Sequence, residues 1–208
     1  MAAEVAVQSD HWVRGFSISG ERPVAAITLT YDDPSGFYVG GTAAGTVRKG
    51  EPGLVSAQAN VGYATRISPG LSLDGGVSRF EYFSSYGSAY DYHYTEAYLG
   101  LATRNVAARV RFSPDYFRPG TETIYAEIEG GMEIAPNWLV NAHLGALHYL
   151  DERPGYLPQR RYDWRVGVSR LIGPYGVHVD LTGRFGAGST APVDGDRTAL
   201  VASLTRAF

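Results

Sequence analysis

Cysteine is absent from this chain of 208 residues. That excludes disulfides, zinc–cysteine centres and thiol catalysis. Lysine is nearly absent: of 18 basic residues, Lys49 is the one lysine and the other 17 are arginines. Charge is scarce altogether, at 19% of residues against ~25% in an average soluble chain. The net charge is −3 and the isoelectric point near 5.9, so no basic field marks nucleic acid as a partner. No apolar run approaches the ~18 residues of a transmembrane helix. The stretch from Met1 to Asp10 lacks the basic start and apolar centre of a secretory signal. Helical periodicity is scarcely present.

What the chain does have is glycine (26), tyrosine (15) and alternation. Apolar residues recur at every second position over about ten residues at a time, the signature of strands. Turn residues separate these runs at Asp32–Gly36, Lys49–Gly53, Ser68–Gly70, Ala135–Asn137 and Ile172–Gly176, where Pro and Gly supply the dihedrals of tight turns. Twelve strands are expected, at about 10–18, 23–31, 36–46, 54–66, 70–83, 91–102, 105–113, 121–134, 137–149, 160–171, 175–187 and 197–208, with ten as the fallback if the first two pair irregularly. No composition break divides the chain, so residues 1–208 read as one domain, a continuous meander. Connections after the even strands are tight. Those after strands five, nine and eleven (84–90, 150–159 and 188–196) are longer. Outer-membrane barrels sort their loops in this way.

The strand faces carry the argument further. Val106, Ala108, Val110 and Phe112 oppose Arg109 and Arg111. Ile124, Ala126, Ile128, Met132 and Ile134 oppose Tyr125, Glu127, Glu129 and Glu133. Tyr162, Trp164, Val166 and Val168 oppose Asp163, Arg165, Gly167 and Ser169. Tyr175, Val177, Val179, Leu181 and Phe185 oppose His178, Asp180, Thr182 and Arg184. A soluble sandwich also alternates, with its polar face in water. Two features favour a membrane barrel. The polar faces are Arg and acid interleaved with Gly and Ser, which suits a lumen of paired charges. Aromatics gather near strand ends (Tyr31, Phe37, Tyr38, Phe80, Tyr82, Phe83, Tyr92, Tyr94, Trp138, Tyr149, Tyr162, Trp164, Tyr175), as in the girdles at bilayer interfaces. In the last strand Leu200, Ala202, Leu204 and Phe208 share a face, interrupted by Arg206, which can snorkel to the interface. The terminal Phe208 resembles the signal read by the barrel-assembly machinery of Gram-negative bacteria.

Ordered motifs then point to a family. Ser9-Asp10, Arg14-Gly15 and Ser17, Ser35-Gly36-Phe37-Tyr38 with Gly40, Asp115-Tyr116-Phe117, Tyr162-Asp163-Trp164 with Gly167-Val168-Ser169, and Phe208 resemble the bacterial TorF-type porin family, also called Gcw_chp. His11 departs from the Tyr usual there. The resemblance spans almost the whole chain. It implies an all-β, up-and-down antiparallel barrel in the bacterial outer membrane, named a porin by analogy more than by demonstrated substrate. A secretory signal is then expected to have been removed. The partners implied are the lipid bilayer, lipopolysaccharide, the assembly machinery and small solutes as cargo. Oligomeric state is open, because an apolar exterior is obligatory for a membrane barrel.

The site candidates are lumen charges. Arg14 reads as an anion-selecting charge or as half of a structural pair with Asp10 or Asp163, because charges inside a barrel must be paired. Glu127, Glu129 and Glu133 on one strand face Arg109 and Arg111 on the next, an expected ion-pair ladder that is either a charged constriction or a plug. Glu96, Asp163, Arg165, Asp180 and Arg184 are expected in the same network. His143 and His178 are expected inward, but the spacing of the five histidines supports no metal site. No cofactor is indicated: the Gly183–Gly188 stretch lacks a phosphate-binding pattern. Ser169 and Ser203 lie in plain strand contexts, so an enzyme is not expected. The loop from Ser85 to Tyr92 is rich in Tyr and could bind a ligand. The expected function is a narrow passive channel for small polar or charged solutes. The alternative is a closed structural barrel that binds another envelope component through its outer surface or loops.

Overall fold

The computed structural model describes residues 1–48, 50–83, 92–152, 157–186 and 196–208. Its strands are β1 (Ala2–Gln8), β2 (Trp12–Val13), β3 (Phe16–Ser17), β4 (Val24–Asp32), β5 (Phe37–Arg48), β6 (Glu51–Ser68), β7 (Leu71–Tyr82), β8 (Tyr92–Ala102), β9 (Val106–Ser113), β10 (Thr123–Ala135), β11 (Trp138–Tyr149), β12 (Arg160–Ile172), β13 (Tyr175–Gly186) and β14 (Arg197–Ala207). Twelve of them form a closed antiparallel barrel. β4 to β14 run as consecutive neighbours, and β1 joins β14 to β4. Closure leaves no sheet edge along the seam where β1 pairs on both sides.

The outer wall is apolar. Ala142, Val166, Leu181 and Leu200 are register partners from β11 across to β14. Leu99, Leu144 and Leu200 are each more than 60% exposed. Such a belt has no reason to face water, and a bilayer is the solvent that it suits. At the end carrying the short turns, Tyr31, Phe37, Tyr63, Trp138, Tyr175 and Phe208 also face outward. The short turns close with residues in the left-handed region, such as Gly36 (φ 103°) and Asn137 (φ 66°). The longer connections, 9–23 and 114–122 among them, gather at the other end, where the two-residue link at 49–50 is the exception. These ends are called here the turn end and the loop end.

One expected strand is misplaced. The first strand of the wall is β1, not 10–18, and the count of twelve stands because Ala2–Gln8 supplies it. Val5 and Val7 face out and Ala6 faces in, a short alternation that the apolar residues just after it overshadow. Residues 9–23 leave the wall and fold into the lumen.

Several members of the expected girdle are also displaced. Tyr82, Tyr94 and Tyr149 lie inside the barrel, buried with Tyr116, Tyr125 and Leu147, and Phe80 and Tyr92 pack against this interior cluster. Tyr38 points in as well, its hydroxyl 2.5 Å from that of Tyr98 and 3.3 Å from Asp74. Strand ends place aromatics near an interface, but side-chain parity decides whether they face lipid or lumen.

Candidate lumen site

The inserted segment is a miniature hairpin. β2 and β3 pair around Arg14-Gly15, whose φ values of 48° and 77° are those of a two-residue turn with both central residues left-handed. A Cβ on Gly15 would stand 2.5 Å from Cβ of Arg184, so close approach to β13 demands glycine there. Asp10 holds the base of the hairpin. Its carboxylate accepts the Ser17 hydroxyl (2.6 Å), the Ser19 hydroxyl (2.5 Å), the His11 N–H (2.8 Å) and the Trp12 indole N–H (2.5 Å). Ser9 stitches the segment to β14 through Ala202 in both directions. The spaced Ser, Asp, Arg, Gly and Ser of the first motif therefore build one object, a plug.

Arg14 is the tip of that plug. It donates to Glu96 at 2.7 Å, not to Asp10 or Asp163, and its side chain is 10% exposed while that of Glu96 is 1% exposed. The guanidinium stacks 4.0 Å from the ring centre of Tyr125, with Tyr116 and Tyr94 at 5.5 and 5.8 Å. A guanidinium gains from aromatic faces most where water is excluded. Burial opposes its charge, but Tyr94, Glu96 and Tyr116 outweigh burial, and the Arg14 pKa lies well above its ordinary value. Tyr116 and Phe117 arrive from the β9–β10 connection, which Asp115 anchors by accepting the Thr95 N–H and the Ser113 hydroxyl. Burial raises the Tyr116 hydroxyl pKa, against the pull of Arg14. The loop-end half of the lumen is thus filled by tyrosines around one ion pair.

A chain of charges descends from this pair. Glu96 also approaches Arg111 (3.9 Å). Arg111 donates to Glu127 (2.8 Å), Glu127 lies 3.7 Å from Arg109, and Arg109 donates to Asp74 (3.2 Å). The register explains it: Glu127 pairs with Arg109 across β9 and β10, and Arg111 is the diagonal neighbour. The other charges lie elsewhere. Glu129 faces Ala107 and makes no ion pair to a described residue, and Glu133 sits at the turn end, accepting the Asn137 N–H at 3.2 Å. Asp163 bonds His143 (3.0 Å) and the Tyr125 hydroxyl (3.1 Å). Arg184 donates to the Gly15 carbonyl (2.8 Å) over the ring of Phe16. Arg165 and Asp180 make no hydrogen bond or ion pair to a described residue. The Tyr-rich loop from Ser85 lies, up to Asp91, outside the described residues, as does the connection 187–195.

Below the plug the lumen is open and polar. A cavity of about 410 Å³ is lined by Gln8, His11, Arg111, Glu127, Asp180 and Ser203 among others. A second, of about 270 Å³, reaches the turn end at residues 103–107 and shares Glu129 and Arg165 with the first. The sequence signal for the aromatic filling above it is parity: Tyr92, Tyr94 and Tyr98 share the strand face of Glu96.

A hydrolase reading needs Ser, His and an acid converging near the outer rim. The nearest approach among described residues is Ser56 Oγ at 3.4 Å from His11 Nε2. The other ring nitrogen meets Gln8 Oε1 at 3.2 Å, an amide rather than a carboxylate. His178 bonds Thr205 at 3.1 Å, away from the His143–Asp163 pair. Among the described residues no group of three His, Asp or Glu is arranged to hold a metal ion.

Residues 1–196 match the profile described as "Bacterial protein of unknown function (Gcw_chp)". The chain belongs to the Gcw_chp family. The match is to the family as a whole and does not reach the narrower TorF-type label. No curated protein sequence matches. Among solved structures, this Gcw_chp barrel is similar to the NanC porin (TM-score 0.60, 9% identity, covering 99% of this chain and 98% of that one). It is similar to the KdgM porin (TM-score 0.60, 11% identity, 100% and 99%). It is also similar to LpxR from Salmonella typhimurium (TM-score 0.54, 9% identity, 99% of each chain). At these identities the likeness establishes the twelve-stranded outer-membrane-type fold.

Proposed function

We propose that this Gcw_chp protein is an outer-membrane barrel that acts as a narrow passive channel for small polar or charged solutes. The observation that carries this reading is the polar cavity of about 410 Å³ beneath the Arg14 plug, inside a wall whose exterior is apolar. A barrel that served only as a scaffold could fill its whole interior with side chains; this one keeps a polar cavity beneath the plug. The fold it shares with two porins supports the same reading. With short turns and both termini at one end, that end is periplasmic by the usual orientation of such barrels, and the plug faces the exterior. In this orientation Phe208 lies at the periplasmic interface, where it serves as the insertion signal for the assembly machinery. Lipopolysaccharide would surround the loop end. The lumen charges Arg109, Arg111, Glu127 and Glu129 then form the constriction below the plug, with Arg14, Glu96, Asp163 and Arg184 holding the plug in place.

A second reading rests on the plug itself. With Tyr94 and Glu96 fully buried, the lumen around Arg14 is packed with side chains, as expected of a closed barrel that acts through its surface. One experiment separates the two. Refolded protein is inserted into a planar bilayer under a salt gradient and single-channel current is recorded. Discrete, reproducible steps are the expected result, and silence from protein shown to be folded and inserted would overturn the channel reading in favour of the closed barrel.

A further inference from the structure

Three inward-facing acids of the barrel share a local design. Asp74, Asp163 and Asp180 each have a glycine as register partner on the neighbouring strand: Gly100, Gly145 and Gly167. At each glycine an added Cβ would collide with the carboxylate, at 2.4, 2.5 and 1.8 Å. Each carboxylate therefore lies flat on the wall, over a backbone left bare for it. Two of the three have a basic side chain as partner, Asp74 the Arg109 guanidinium and Asp163 the His143 imidazole. Asp180 has the cradle without such a partner among the described residues.

Two other charges of the open half are in the same condition. Glu129 and Arg165 make no ion pair or hydrogen bond to a described residue, although Glu129 lies within electrostatic range of Arg109. They stand in one cross-strand row with His143 between them, since His143 is the register partner of both. Asp180 is diagonal to Arg165 across β12 and β13. All three residues line the 410 Å³ cavity. Beside them Asn141, the register partner of Gly167, has a buried Oδ1 atom with no hydrogen-bond partner. Asp180 and Asn141 are half-buried, while the side chains of Glu129 and Arg165 are exposed to the open lumen, where a solute can reach them. A cluster of two carboxylates, one guanidinium and one amide oxygen left over in a cavity is what a bound solute would complete.

We propose that this cluster is a binding subsite for small zwitterions bearing an ammonium and a carboxylate, the α-amino-acid type. The ammonium sits against Asp180, and Arg165, the diagonal neighbour of Asp180, takes the carboxylate in its planar fork, with Glu129 farther along the wall adding negative field. Two acids against one base make a lone anion the poorest guest. This inference rests on the channel reading for the route by which the solute arrives, but not for the site itself.

The test uses three solutes of one carbon count: alanine, with both charges; propylamine, with the ammonium alone; and propionate, with the carboxylate alone. Saturation-transfer NMR on the full folded chain in detergent micelles detects weak binding without requiring conduction. The expected order of signal is alanine, then propylamine, then propionate near background, and this ordering in the wild type needs no variant. Asp180→Asn should weaken alanine and propylamine by about tenfold, as for the loss of one charge-assisted contact. Arg165→Met should erase the advantage of alanine over propylamine. Equal signals from all three, or propionate strongest, would overturn the proposal. Planar-bilayer recordings on the same preparation keep the two readings apart. Conduction without saturation transfer removes the subsite and leaves the channel; transfer without conduction removes the channel and leaves the subsite.

Discussion

At the loop end Tyr94 and Tyr125 pack around a largely buried Arg14, whereas toward the turn end Glu129 and Arg165 stand in an open cavity with no ion-pair partner among the described residues. Both halves are lined by the same strands, β8 to β13, and both carry charge. They differ in what surrounds the charge. In the loop-end half the hairpin 9–23 and the Asp115-Tyr116-Phe117 connection fill the lumen, so each charge must find its counter-charge within the protein. In the turn-end half nothing is inserted, water can screen, and charges can stay single. A barrel wall of uniform construction thus acquires a sealed and an open compartment from two inserted segments.

The largest expected effect tests that contrast directly. Glu96→Gln leaves Arg14 buried without its counter-charge, and breaking such a pair costs about 3–5 kcal/mol. Glu129→Gln, made in the same interior two strands away, should stay within ~0.5 kcal/mol, as for a change that disturbs no buried partner. Equilibrium unfolding in urea, followed by the gel-mobility shift of folded barrels, measures both. Similar losses for the two variants would show that the halves are equally solvated.

How much of this was legible follows from parity. The outward faces of β9, β10 and β13 could be read residue by residue, because strict alternation over ten residues admits one partition. The same rule places Tyr94 with Glu96 and Tyr125 with Glu127. The girdle argument, which counts aromatics near strand ends without asking which way they point, sent Tyr82, Tyr94 and Tyr149 outward. The plug was hidden for a different reason. Trp12, Val13 and Phe16 look like a strand, and Arg14-Gly15 reveals a hairpin only when the left-handed φ of both residues is known. The pairing of Arg14 with Glu96, separated by 82 positions, follows from insertion depth, which no local pattern encodes. Single charges such as Asp180 and Arg165 could be assigned to the lumen, but whether they pair depends on what else enters it.

A smaller effect sharpens the contrast at two glycines of nearly equal backbone. Gly15 (φ 77°) and Gly70 (φ 80°) both strain an added side chain, at ~1–2 kcal/mol each. Gly70 is a turn with open space around it, while Gly15 would meet Cβ of Arg184 at 2.5 Å. Gly15→Ala should therefore cost a further ~1–3 kcal/mol of overpacking. It should also loosen the plug, read as more frequent or larger channel openings, and Gly70→Ala should change neither conductance nor gating. Equal destabilisation by both would mean that the hairpin tip does not press on β13.

The smallest effect expected is a pH dependence confined to the hairpin. Burial lowers the His11 pKa, with Asp10 pulling the other way. The unfolded chain then binds a proton at His11 more readily than the folded one. Stability contributed by neutral His11 is present above the unfolded value of about 6.5 and declines as pH falls through it toward the lower folded pKa. Carboxylates elsewhere also respond to acid, so the informative quantity is a difference between proteins. Between pH 7.5 and 5.5 the urea midpoint of the wild type should fall further than that of His11→Gln, which keeps a polar side chain facing Gln8 and Ser56 but takes up no proton. A parallel fall in both would place the acid sensitivity outside the plug. The wild-type excess would instead identify the hairpin 9–23 as the part of the barrel that acid loosens first, because the partial burial of His11 there disfavours its charged form.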